Sequence, residues 1–125
     1  VQYLKNDMKC FKILLPTYGP SIESRIYPHW RDSPYFTIIC FDGNKVLGSK
    51  HVSLKSDELI INLVKRESVK YVIALSLSTR ALELLNKNNV TVLTGNVTTV
   101  GDALSKFKKK ELFKLRLIKE KLESS

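Results

Sequence analysis

The chain has 125 residues, of which 43% are hydrophobic, and carries a formal charge of +9. This is the size of one domain, with a core that needs no metal or cross-link to fold, and the apolar content excludes wholesale disorder. No apolar run is long enough to cross a bilayer and no signal pattern opens the chain, so a soluble cytoplasmic protein with no membrane partner is expected.

Residues 1–8 read as an N-terminal extension with no assigned function, and residues 9–108 as the folded domain. Phe11-Lys12-Ile13-Leu14-Leu15 is a β-type run ended by Pro16. Residues 16–33 then gather Pro16, Gly19-Pro20 and Pro28, which marks an irregular loop. Structureless connections beyond about a dozen residues tend to be functional. Tyr35 through Phe41 form a second strand, Asp42-Gly43-Asn44 a hairpin turn, and Lys45 through Val52 the returning strand. After Ser56, a plausible N-cap, the period changes: Leu59, Ile60, Leu63 and Val64 recur at helical spacing. Tyr71 through Leu75 is a continuous apolar strand of the kind covered on both faces. A Ser78-Thr79 cap opens a helix with Ala81, Leu82 and Leu85 inward, and Val90 through Leu93 is another strand. Thr99 and Asp102 resemble a capping box before a helix striped by Val100, Ala103, Leu104 and Phe107. The order predicts an α/β architecture: a mixed five-stranded sheet, an antiparallel meander followed by helical crossovers, with helices on both faces.

Residues 109–125 read as a separate basic amphipathic helix. Leu112, Leu115, Ile118 and Leu122 make its apolar stripe. Lys108, Lys109, Lys110, Lys114 and Arg116 make an electropositive face suited to nucleic acid or an acidic partner. The same stripe would equally serve a homo-oligomer.

The chemistry is sparse. No phosphate-binding glycine loop, nucleophile elbow or zinc framework is present. Carboxylates grouped for two-metal nuclease work are missing from the first strand. Cys10 and Cys40 each fall in a strand-like run, and two buried thiols are expected ahead of a disulfide or paired metal ligation. His29 is the leading candidate. A neutral imidazole on a loop can ligate a transition metal, and one histidine can complete a preassembled cluster that brings its other ligands. The alternative is a structural histidine bonded to backbone. His51 ends a strand, where α/β sheets often meet ligands. Arg25 and Arg31 flank His29 and would draw an anionic ligand, or simply solvate the surface. Trp30 and Tyr35 would close a pocket or pack on the sheet.

Lys12-Ile13-Leu14-Leu15-Pro16-Thr17, then Pro28-His29-Trp30, then Pro34-Tyr35-Phe36 follow the order and spacing of a known family. So do Val72-Ile73-Ala74 with Ala81 through Leu85, and Val90-Thr91-Val92 with Thr99 through Leu104. Over about residues 9–112 the chain resembles the dinitrogenase iron–molybdenum cofactor biosynthesis family of nitrogenase accessory factors. The resemblance implies a ribonuclease H-like fold and a non-enzymatic accessory or carrier role. Its cargo would be an iron–sulfur or iron–molybdenum cluster, its partners metallocluster-biosynthesis proteins. It implies His29 as metal ligand; Thr17, Arg31 and His51 are the further candidates for the cofactor site. Arg31 stands where the family usually has glycine.

Overall fold

The computed structural model describes residues 10–116. Three seven-residue strands open the fold, β1 (Phe11–Thr17) and β2 (Tyr35–Phe41) largely buried and β3 (Val46–Val52) more exposed. β1 runs two residues past the expected stop. Pro16 is accommodated because its carbonyl, which lies on the side of its missing N–H, accepts from the Tyr27 amide at 2.9 Å, beyond the last β4 pairing at Leu14. Asp42 closes the β2–β3 turn by accepting from the amides of Asn44 and Lys45, with Gly43 supplying φ +103°.

Three helices and two short strands follow: α1 (Asp57–Glu67), β4 (Val69–Ile73), α2 (Thr79–Lys87), β5 (Thr91–Thr94) and α3 (Val100–Lys108). Each helix opens on the expected hydroxyl: Ser56 accepts from the Leu59 amide, Ser78 from Ala81, Thr99 from Asp102. Asp102 reaches back to the Thr98 amide, so the capping box is displaced by one residue.

With a two-residue edge strand, β6 (Phe113–Lys114), the sheet order is β3-β2-β1-β4-β5-β6. β1 is antiparallel to β2, β2 to β3, while β4 runs parallel to β1 and to β5. One face, with Leu14, Phe36, Ile38, Val72 and Val92, packs on α1 and α2. The other, with Ile13, Leu15, Ile39, Phe41 and Ile73, packs on α3. Helices therefore cover both faces, and β1 is buried between them; each fully buried Leu or Ile contributes about 1.5–3 kcal/mol.

Two expectations are corrected. The sheet has six strands, because part of the expected C-terminal helix is β6 (Phe113–Lys114), antiparallel to β5. α3 stops at Lys108, Lys110 takes φ 60°, and the Leu115 amide donates to the Val92 carbonyl at 2.8 Å. Leu112 joins the α3-side core and Leu115 the α1–α2 side. An odd spacing puts strand side chains on opposite faces, so a stripe that looks helical is here divided between two faces. Gly95 makes room: a Cβ there would lie 2.9 Å from Leu112 Cδ2. Residues 117–125, the rest of that expected helix, lie outside the described residues, as do residues 1–9. The second correction is that Cys10 and Cys40 form a disulfide, with Cα atoms 5.4 Å apart. Antiparallel pairing of Phe11 with Phe41 brings the two cysteines within bridging range.

Candidate functional site

The parallel strands β1, β4 and β5 all end at one edge of the molecule. From β1 the chain first builds toward β3, then returns to add β4 on the opposite side, so the crevice between the carboxyl ends of β1 and β4 is a switch point where open α/β sheets bind ligands. Residues 18–34 form the loop over that edge. It is strapped down at several points. The Ile26 amide donates to Thr98 O at 2.8 Å, and the Val100 amide to Ser24 O at 3.1 Å, tying the loop to the β5–α3 connection. Ser76 Oγ, from the β4–α2 connection, donates to Pro28 O at 2.8 Å. His29 is the next residue. It is exposed, in extended conformation, and precedes a 3-10 turn at Trp30–Asp32. Its ring lies edge-on to Tyr27, which in turn meets Tyr18 edge-to-face. Among the described residues its ring nitrogens have no hydrogen-bond partner.

Thr17 is fully buried, so it cannot face a ligand directly. Its hydroxyl donates to Gly19 O at 2.9 Å and meets Thr37 Oγ1 at 2.9 Å; Thr37 Oγ1 meets His51 Nδ1 at 2.9 Å. Each hydroxyl has one proton. With Thr17's committed to Gly19, Thr37 donates to Thr17 and accepts from His51 Nδ1–H. The lone pair of the neutral ring therefore sits on Nε2, which has Ser49 Oγ at 3.4 Å and lies toward solvent on half-buried His51. Thr37, Ser49 and Ser76 were missed in the sequence. A visible signal existed for Thr37: it is a short hydroxyl side chain between Tyr35 and Ile39 on the β2 face that also carries Phe41.

Trp30 and Tyr35 do not close a pocket together. Trp30 is buried against Phe36, ring centroids 5.1 Å apart, with Nε1 unpartnered among the described residues. Arg31 is exposed and only loosely paired, 3.6 Å from Asp57, beside a cleft of about 340 Å³ shared with Lys55, Ser56 and Arg80. Lys108, Lys109, Lys110, Lys114 and Arg116 are all exposed, spread over the end of α3, a turn and β6 instead of one helical face. No group of three or more His, Cys, Asp or Glu among the described residues could hold a metal ion. No helix there is long and apolar enough to cross a membrane.

A mixed sheet covered by helices on both faces, with a strapped loop that exposes one imidazole over the strand ends, defines an α/β domain. Residues 11–110 match the family described as dinitrogenase iron-molybdenum cofactor, and the chain belongs to that family. No curated protein matches the chain. Among solved structures it is similar to PH0822, with 23% identity and a TM-score of 0.73 over 83% of this chain and 94% of that one. MJ0327 from Methanocaldococcus jannaschii gives 22% and 0.71 over 85% and 95%. The apo form of the orange protein from Desulfovibrio gigas gives 12% and 0.72 over 85% and 93%. At these identities the likeness establishes the fold.

Proposed function

We propose that this chain is a non-enzymatic accessory domain that receives an iron–sulfur or iron–molybdenum cluster and passes it on, with His29 as protein ligand. The carrying observation is the exposed imidazole of His29 next to Pro28, whose carbonyl is pinned by Ser76 at the β1–β4 switch point. A cluster that brings its own ligands fits a site with one strong donor; a bare ion, which needs several, does not. Arg25 and Arg31 add positive charge for an anionic guest. His51, held by the Thr17–Thr37 chain with Nε2 outward, is the second donor at this end of the sheet. Partners are then metallocluster-biosynthesis proteins that deliver and remove the cargo, in the cytoplasm. The ribonuclease H-like reading of the fold is supported by the order β3-β2-β1-β4-β5 of the first five strands.

The test is anaerobic. Wild type, His29→Ala and His51→Ala are mixed with a preformed iron–sulfur cluster, desalted, and assayed for bound iron and visible absorption. Wild type retains the chromophore, His29→Ala loses at least about tenfold in affinity, the scale of losing a positioning or ligating group, and His51→Ala loses less. Equal retention by wild type and His29→Ala would remove His29 from the site. Metal-free spectra from all three would end the reading.

A further inference from the structure

At the other end of the sheet the disulfide sits in a setting that the cluster reading does not use. Cys40 lies on the α1–α2 side of β2, directly between Lys12 on β1 and Gly48 on β3. Gly48 has no side chain, and a Cβ placed there would meet nothing within 4 Å. The result is a cavity of about 170 Å³ that reaches half-buried Cys40 and is bordered by Lys12, Lys50 and Glu67. Glu67 is clamped by both lysines, Lys12 Nζ at 3.0 Å and Lys50 Nζ at 2.6 Å, so two ammonium groups stand over this side of the cysteine with one carboxylate between them.

We propose that Cys10–Cys40 is a thiol–disulfide exchange site, opened by the gap at Gly48. A thiolate R–S⁻ enters the cavity and attacks Cys40 Sγ. The new bond is Cys40–S–S–R; the Cys10–Cys40 bond breaks, and Cys10 leaves as a thiolate that takes up a proton. A second R–S⁻ attacks the R sulfur of the mixed disulfide and releases Cys40 as a thiolate under the field of Lys12 and Lys50. In sum, the protein disulfide and two R–SH give a protein dithiol and R–S–S–R, two electrons passing to the protein. Thiolates beside lysines are favoured over thiols, and a lower leaving-group pKa speeds the step. Disulfides in reducing compartments are mostly of this transient kind, so the bond and a cytoplasmic setting agree if the bond turns over. The attacking group is a –CH₂–S⁻, on a small thiol or at the tip of a dithiol protein.

The intact, folded protein is exposed in separate arms to reduced glutathione and to a reduced thioredoxin-type dithiol protein. Free thiols are trapped by alkylation and any mixed disulfide is located by peptide mass. Reduction in the glutathione arm assigns a small thiol; reduction only by the protein dithiol assigns the second source; either supports the site. The mixed disulfide is expected on Cys40. Gly48→Val, a β-favouring residue that fills the gap, is expected to slow exchange at least tenfold with unchanged far-UV circular dichroism, and Gly48→Ala to slow it less. In the reduced protein, Cys40 is expected to alkylate at lower pH than Cys10, a difference that Lys12→Met with Lys50→Met removes. No reduction in either arm before unfolding, an adduct on Cys10, or equal rates for Gly48→Val, Gly48→Ala and wild type would each overturn the proposal.

Discussion

Thr37 is the pivot of the buried polar chain: it donates to Thr17 and accepts from His51. Thr37→Val keeps the shape and removes both bonds, leaving Thr17 short of a donor and His51 Nδ1–H short of an acceptor. The expected cost is about 1–3 kcal/mol, the penalty for buried groups left unsatisfied, read as a lower urea midpoint. A second readout is specific to the chain: the His51 ring, fixed as the Nδ1–H tautomer in wild type, becomes a tautomer mixture by nitrogen NMR. An unchanged tautomer would show that Thr37 does not set it. Glu67 carries the clearest pH dependence. The hydrogen bond from Lys50, then that from Lys12, holds its carboxyl below the ordinary value of 4.5 despite partial burial. A carboxylate with a depressed folded-state pKa stabilises the fold above its unfolded pKa, and that stabilisation is lost as pH falls through the folded value. Glu67→Gln should therefore cost about 1 kcal/mol at neutral pH, the scale of partly exposed pairs. Its deficit relative to wild type should shrink as pH falls from the ordinary carboxylate value of 4.5 through the lower folded-state value. A deficit that stays constant across that range would mean the lysine clamp contributes no charge-dependent stability.

At the scale of elements, the sequence announced most of the sheet because period, caps and turns agree locally. Ser56, Ser78 and Thr99 cap as expected and Asp42-Gly43 turns the hairpin. The β4 boundary shifted from residues 71–75 to Val69–Ile73, since the left-handed Ser68 lets pairing begin directly after α1. What local pattern cannot carry is long-range register. The disulfide depends on Phe11 meeting Phe41 across an irregular loop whose length fixes no pairing, and the Thr17–Thr37–His51 chain depends on three strands in register. His29 was legible as a loop residue; Ser76, which pins its neighbour from 48 positions away, was not. Leu112 and Leu115 show the same limit, since two leucines three apart fit a helix face as well as two faces of a strand. β6 also gives a test. Gly95→Val places bulk against Leu112 Cδ2 and the Glu111 carbonyl. Overpacking of this kind costs about 1–3 kcal/mol, and here it should release the edge strand first. Amide exchange at Leu115, bonded to Val92 O, should accelerate while that of β1 stays slow. Equal acceleration throughout would mean that β6 is not a separable unit.

The whole molecule has two chemically distinct ends joined by β1. The His29 loop lies over the carboxyl end of that strand. The disulfide, the Phe11–Phe41–Tyr71–Phe107 ring cluster and the basic close of α3 gather at its start. Seven residues of strand separate the ends by about 20 Å, beyond the range at which sites usually couple. His29 and the disulfide should therefore act independently: His29→Ala is expected to leave the rate of disulfide exchange within about twofold of wild type. The cross-link itself acts on the global balance. It closes a separation of 30 residues, and a loop of that size stabilises by about 2–4 kcal/mol, largely by restricting the unfolded chain. The two cores, however, are formed by β1, β2, β4 and the helices, not by the cysteines. Reduction should thus lower the urea midpoint by that amount while the far-UV circular dichroism at 25 °C stays native. A dithiol form that lost its sheet signal on reduction would show that the cores cannot stand without the bond, and re-formation of the Cys10–Cys40 bond, the reverse of the proposed exchange, would then start from an unfolded chain.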